Sequence, residues 1–252
     1  MTKWWRAGLG VVIVLIVWEL AARQWDTPLL FPSPLNVWRQ IKGMIANGEV
    51  LIHLGASLQR IAVGLGIGVP VGVLIGCLMG SSRLANSAFD PYLRMANSIP
   101  AVALVPFSLL WFGVSELGRY ALMVYIVLVT MMLNARQGVR EVPRLRTKAS
   151  ETLGVSGTAA FFRVIIPSSF PSILVGIRTS IGLCVMVVVA AEMFGATSGL
   201  GYLIMQGRAN YVPELIFIGI LGLGFLSLAL DRLFMLAIEV LTPRWSSKRR
   251  VR

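Results

Sequence analysis

The sequence predicts an all-α integral membrane protein, six helices crossing a bilayer and one polar helix-turn-helix interrupting them. Three observations carry this. Of 252 residues, 56% are hydrophobic and only 13% charged, with a mean hydropathy of +0.78. Ile61 to Met79 runs nineteen residues without an Asp, Glu, Lys, Arg or His, about the length a bilayer core demands of a helix. Between two such stretches, Arg136 to Phe170 is basic, polar and rich in capping residues.

Six apolar segments set the spans at about 7–25, 58–80, 99–115, 117–135, 172–194 and 214–240, within a single transmembrane domain covering 1–252. Lys3 and Arg6 before Ala7 to Trp18 also fit a signal peptide. A retained span is the better reading. Apolar sequence resumes at Leu20, Trp4, Trp5, Trp18 and Trp25 mark both ends, and no small-residue cleavage site follows.

The second span carries Gly64, Gly68, Gly72, Gly76 and Gly80, each four residues after the last. On a helix these form one smooth stripe. In lipid, apolar side chains gain little by leaving hydrocarbon, so close backbone approach along such a stripe is what holds two helices together. We expect a packing seam, bent at Pro70. The third span contains Pro100 and Pro106, which argue for a kinked or broken helix, and broken helices at membrane depth are candidate walls of a translocation path.

The fifth span ends in Glu192. A carboxylate in a span costs on the order of 2.5–3.5 kcal/mol by insertion scales, so it lines a path or meets a cation; both readings stand. Arg178 lies where snorkelling is easy, while Asp231 and Arg232, adjacent on the sixth span, point to different helix faces and call for partners elsewhere.

Counting cations on alternate sides places fifteen Lys and Arg on the side of the polar segment and six on the other. The positive-inside rule then makes both termini cytoplasmic. The same count explains the net charge of +12 without nucleic acid, and the Lys248-Arg249-Arg250 tail suits anionic headgroups of the lipid bilayer. Arg60, Arg119 and Arg208 hint at an anion-friendly outer face. His53 is the sole histidine, so no histidine-based metal site is expected, and Cys77 and Cys184 sit in apolar runs as small core or lipid-facing side chains. No phosphate-binding loop, nucleophile elbow or zincin motif occurs, and catalysis by this chain is not expected.

Within the polar segment, Pro143 suits the first turn of a helix running through Leu145 to Thr152, ended by Gly154. Ser156 or Thr158 can cap a second helix over 159–165, which Pro167 and Pro171 are expected to stop. Arg144, Arg146, Lys148 and Glu151 charge this knob, while Leu145, Ala149, Leu153, Phe161 and Phe162 offer an apolar face to a partner's groove.

Lys148-Ala149-Ser150-x3-Gly154-x9-Val164-Ile165-Ile166-Pro167 resembles the EAA loop of permease subunits in binding-protein-dependent ABC importers, Glu-Ala-Ala-x3-Gly-x9-Ile-x-Leu-Pro. Leu30-Phe31-Pro32-Ser33-Pro34, Ile99-Pro100-x3-Leu104-x-Pro106, Leu110-Trp111-Phe112-Gly113, Ala190-Ala191-Glu192-Met193 and Ser198-Gly199-Leu200-Gly201-Tyr202-Leu203 look like the nitrate, sulfonate and taurine branch. Lys148 and Ser150 depart from the pattern, replacing its glutamate and second alanine, and Glu151 stands about one helical turn after the position of the missing acid.

The resemblance implies a six-helix type I importer transmembrane domain with an EAA-like coupling loop over 137–170. It implies that Lys148, Ala149, Ser150, Glu151, Thr152, Leu153, Gly154, Phe161 and Pro167 dock a cytoplasmic ABC ATPase dimer, which binds ATP and Mg while this chain binds no cofactor. It further implies a second copy of the permease, an external solute-binding protein, and an inner-membrane passage for a small anionic solute by alternating access. An ion-coupled secondary transporter is the alternative, with Glu192 as its one coupling group and no internal repeat. A scaffold using the glycine stripe and basic tail is a third reading.

Overall fold

A computed structural model describes residues 2–25 and 31–241, without the side chains of residues 2–4, 6–8, 11, 25 and 241. Leu30 and the 248–250 tail, and the side chains of Trp4 and Trp25, lie outside the described set. Among the described residues the structure is helical throughout, without strands. We number its α-helices α1 (Thr2–Trp25), α2 (Pro34–Ala46), α3 (Glu49–Ser81), α4 (Arg83–Ser98), α5 (Val105–Phe112), α6 (Glu116–Arg140), α7 (Arg144–Thr152), α8 (Gly157–Ala160), α9 (Ile166–Met193), α10 (Leu200–Ala209) and α11 (Pro213–Leu241).

Among the described residues, α3, α6, the continuous helix Gly157–Met193 and α11 are long and apolar enough to cross a membrane, and the bent pair α4–α5 is long and apolar enough for a fifth when taken as one broken span. Helix α1, at 24 residues, has the length of a sixth.

The glycine stripe is the central seam. A Cβ on Gly64 would meet Met123 Cβ at 2.5 Å, one on Gly68 would meet Val127 Cβ at 2.6 Å, and one on Gly80 would meet Val139 Cβ at 2.6 Å. The constant offset shows that α3 and α6 run parallel, backbone against backbone. Helix α3 continues through Pro70. On its other side α6 meets α9 antiparallel, Gly138 lying against Ser169 and Ser172 and Gly176 against Asn134. At the far end of the bundle, Trp18 of α1 stacks on Phe217 of α11 at 5.1 Å and donates from Nε1 to Pro32 O at 3.1 Å.

Parallel α3 and α6 require the chain to return between them, and here the expected span 99–115 is corrected. The return begins at Arg83. Helix α4 climbs beside α6 with Arg140 bonded to Asn86 at 2.8 Å, Arg136 paired with Asp90, and the Tyr125 hydroxyl donating to Ala96 O at 2.7 Å. At Ile99-Pro100 the path turns by 87°. The residue before a proline is forced from helical geometry, and Ile99 is extended at φ −89°, ψ 118°. A short 3₁₀ turn, Ala101–Leu104, then leads into α5 with Pro106 in its first turn.

A second correction concerns the fifth span. Pro167 and Pro171 do not stop a short helix; Gly157 to Met193 is one continuous rod of 37 residues. Proline lacks an N–H and its ring crowds the carbonyl four residues back. Here Phe161–Ile165 widens to a π-turn, with the Ile166 amide reaching back to Phe161 O, so the helix absorbs Pro167 instead of ending.

Candidate functional site

The polar segment folds as a knob beyond the α6–α9 end of the bundle. Helix α7 closes with Gly154 at φ +78°, donating to Glu151 O at 3.0 Å, while Val155 N–H reaches Ser150 O at 2.8 Å. This paired closure is the Schellman arrangement, and glycine takes its left-handed position without a Cβ penalty. Neither Ser156 nor Thr158 makes the expected capping bond. The apolar side chains Leu145, Leu153 and Phe162 are 78%, 81% and 61% exposed.

Of the nine residues expected to dock, Lys148, Ala149, Glu151, Thr152, Leu153, Gly154 and Pro167 are exposed, and Phe161 is half-buried against Phe162. Ser150 is the exception. Helix α7 rests on the π-turn there, so the serine is buried, its hydroxyl donating to Thr147 O at 2.8 Å.

At the opposite end lies a buried charge network. His53, Ser57 and Arg60 occupy one face of α3, at i, i+4 and i+7. Arg60 Nη1 meets Glu192 Oε1 at 2.8 Å and Ser198 O at 2.8 Å, while its Nε and Nη2 fork onto Glu116 at 2.8 and 2.7 Å. Arg119 reaches Glu116 at 2.9 Å and also donates to Gly195 O. Two guanidinium groups balance two carboxylates. Three consecutive amides at the start of α10 are satisfied in turn: Gly199 by His53 Nδ1 at 3.2 Å, Leu200 by Ser57 Oγ at 2.9 Å, and Gly201 by Glu192 Oε2 at 2.8 Å. Gly199 stands at φ +129°, where a Cβ would strike the Glu192 carboxyl carbon at 2.3 Å.

Of the two readings left open for Glu192, the structure shows the pairing with a cation and not the lining of a path: its side chain is 0% exposed and faces Arg60. The anion-friendly outer face is corrected, since Arg60 and Arg119 are buried and neutralised, leaving Arg208. Arg178 has a partner on the neighbouring helix. It grips Asp231 across α9 and α11 with bonds of 2.6 and 3.0 Å. Pro100 and Pro106 are exposed beside Phe107, Leu110 and Trp111 on the broken crossing.

Residues 68–247 match the family described as binding-protein-dependent transport system inner membrane component. The chain belongs to this family. A putative aliphatic sulfonates transport permease protein of Escherichia coli (strain K12) is 34% identical over 96% of this chain and 91% of its own. The taurine transport system permease protein of the same organism is 28% identical over 89% of this chain and 83% of its own. Among solved structures, an inward-facing MetNI methionine ABC transporter aligns with 74% of this chain and 93% of its own at a TM-score of 0.51 and 18% identity, a likeness of fold.

The permease is thus the membrane subunit of a binding-protein-dependent ABC importer, with a type I transmembrane domain; ATP hydrolysis belongs to a separate subunit. That sets aside the ion-coupled and scaffold alternatives. Family membership implies an ATPase and a solute-binding protein as partners and an inner-membrane location. What residue reading missed in this permease is the network around Arg60. The signal was present in the spacing of His53, Ser57 and Arg60 and in the Glu116–Arg119 pair one turn apart, all polar groups turned toward one side of their helices.

Proposed function

We propose that two copies of this permease pair to form the passage for a small anionic solute of the sulfonate, taurine or nitrate class, delivered by the solute-binding protein. Two ATPase subunits, which bind ATP and Mg, grip the α7–α8 knobs from the cytoplasm; this chain binds no cofactor. The sulfonate and taurine permeases among its relatives support the solute class.

The observation that carries the coupling role is the union of an exposed apolar knob with the 37-residue rod Gly157–Met193, about 55 Å long at 1.5 Å per residue. A push on Leu153 or Phe162 travels through the π-turn into α9, which packs along α6. Closure of the ATPases brings the two knobs together and turns the passage outward; hydrolysis lets it return. The stretch from Pro100 through α5 supplies a wall of the passage, where exposed backbone and side chains meet water and solute.

The positive-inside count supports cytoplasmic termini. Arg94 now lies within a crossing and Arg60 and Arg119 are buried, which leaves fourteen cations on the knob side against four on the other.

The test is ATP-dependent uptake in proteoliposomes holding permease, ATPase and solute-binding protein. Gly154→Asp places a Cβ at φ +78° and a charge on the knob; it should weaken ATPase association and uptake together. Undiminished association and uptake would refute the coupling role. The ligand that co-purifies with the solute-binding protein identifies the solute.

A further inference from the structure

A polar cavity of about 540 Å³ lies at the knob end of the bundle, around the α3–α4 turn and the start of α7, away from Pro100 and Pro106. Ser81, Ser82, Arg83, Asn86, Arg140 and Arg144 line it. Three guanidinium groups therefore converge from three elements: the α3–α4 turn, the last turn of α6 and the first residue of α7. Their carboxylate count is zero. Arg140 has only the neutral Asn86 amide oxygen, at 2.8 Å, and among the described residues Arg83 and Arg144 have no ion pair. Of the acids nearby, Asp90 is paired with Arg94 and Arg136, and Glu141 accepts from the Gln137 amide and does not line the cavity. A cavity with three unneutralised cations calls for an anion.

The surroundings say which. Leu84, beside Arg83, is 82% exposed, and Ala88, Tyr92 and Met95 continue from it up the outer face of α4. Spacings of four, four and three residues put these on one stripe, turned away from Leu93, which is buried with Val129 and Met132 of α6. Basic pockets between helices at the cytoplasmic surface suit phospholipid headgroups.

We propose that this cavity binds the phosphate headgroup of an anionic phospholipid of the inner leaflet, its acyl chain lying along the α4 stripe. The bound phosphate ties Arg144, the start of the coupling helix, to the α3–α4 turn. Lipid composition then sets how firmly the knob is seated on the bundle. This rests on the orientation given above.

The experiment uses phosphatidylglycerol as probe. Purified permease, with and without its ATPase, is loaded with phosphatidylglycerol and phosphatidylcholine, and lipid retention is read by native mass spectrometry. Wild type should retain phosphatidylglycerol preferentially. The double variant Arg83→Gln/Arg144→Gln should lose affinity on the order of 10-fold or more, two cations being removed. Arg83→Lys/Arg144→Lys should keep most of it, which separates loss of charge from loss of fold. Equal retention by the Gln pair would overturn the site. Displacement of the lipid by inorganic phosphate at equal concentration would overturn the lipid in favour of a soluble anion. An equal loss from the distant pair Arg39→Gln/Lys42→Gln would reduce the effect to general surface charge and overturn it too. Retention is measured without ATP, so a failed uptake assay leaves this result standing, and the reverse.

Discussion

Arg60 carries more of the architecture than any other side chain, because five hydrogen-bonding directions are fixed in its plane and four reach named acceptors. A guanidinium 2% exposed is tolerable only with its carboxylates beside it. Removing one partner of such a pair costs about 3–5 kcal/mol, since the other charge is stranded. Glu192→Ala leaves two buried guanidinium groups, Arg60 and Arg119, with the single carboxylate of Glu116, and also releases the Gly201 amide at the start of α10. We expect that variant to lose stability of this size, read as a large drop in melting temperature in detergent, and Arg60→Ala to do the same. Glu192→Gln keeps an acceptor for Gly201 and should fall between. Parent-like melting of Glu192→Ala would show that the network contributes little.

At the scale of elements, the α3–α6 seam turns on the absence of Cβ atoms. At Gly72 a Cβ would sit 2.6 Å from Met131 Cβ and 2.9 Å from Leu128 O, so a helix must shift. At Gly66, in the same helix, nothing lies within 4 Å. Gly72→Ala is expected to cost about 1–3 kcal/mol through overpacking, whereas Gly66→Ala should be neutral or stabilise by roughly 0.5–1 kcal/mol through helix propensity. Thermal melts of the two variants check the contrast; equal effects would sink the seam argument. This stripe was legible in the sequence because its period is the helix period, and the broken third crossing was legible because proline has one mechanism. Helix α4 was not. Its Asn86, Asp90 and Arg94 lower its hydropathy below any span threshold, yet two of them face Arg140 and Arg136 of α6, so their polarity is spent inside the protein. Arg60 escaped for a related reason: counting charges by side of the membrane says nothing about depth, and its partners are 56 and 132 residues away. The continuous α8–α9 rod escaped because prolines were read as helix stops, and the π-turn that accommodates Pro167 has no sequence period to find.

For the molecule as a whole, function depends on which end of the bundle faces the ATPase. The knob must be cytoplasmic, and the loop before α3 must face the other way, because α3 and α6 run parallel and an odd number of crossings separates Glu49 from the knob. Single cysteines read this directly, since the two native ones, Cys77 and Cys184, are buried. Leu51→Cys and Leu145→Cys change side chains that are 74% and 78% exposed, at opposite ends. In intact cells a membrane-impermeant thiol reagent should label Leu51→Cys and leave Leu145→Cys unmodified; after permeabilisation both should react. Reconstitution with the ATPase should then protect Leu145→Cys while leaving Leu51→Cys reactive, and Leu153→Asp, which puts a charge on the apolar face, should abolish that protection. Labelling of Leu145→Cys in intact cells would invert the orientation, and labelling that the ATPase does not alter would move the dock away from the knob.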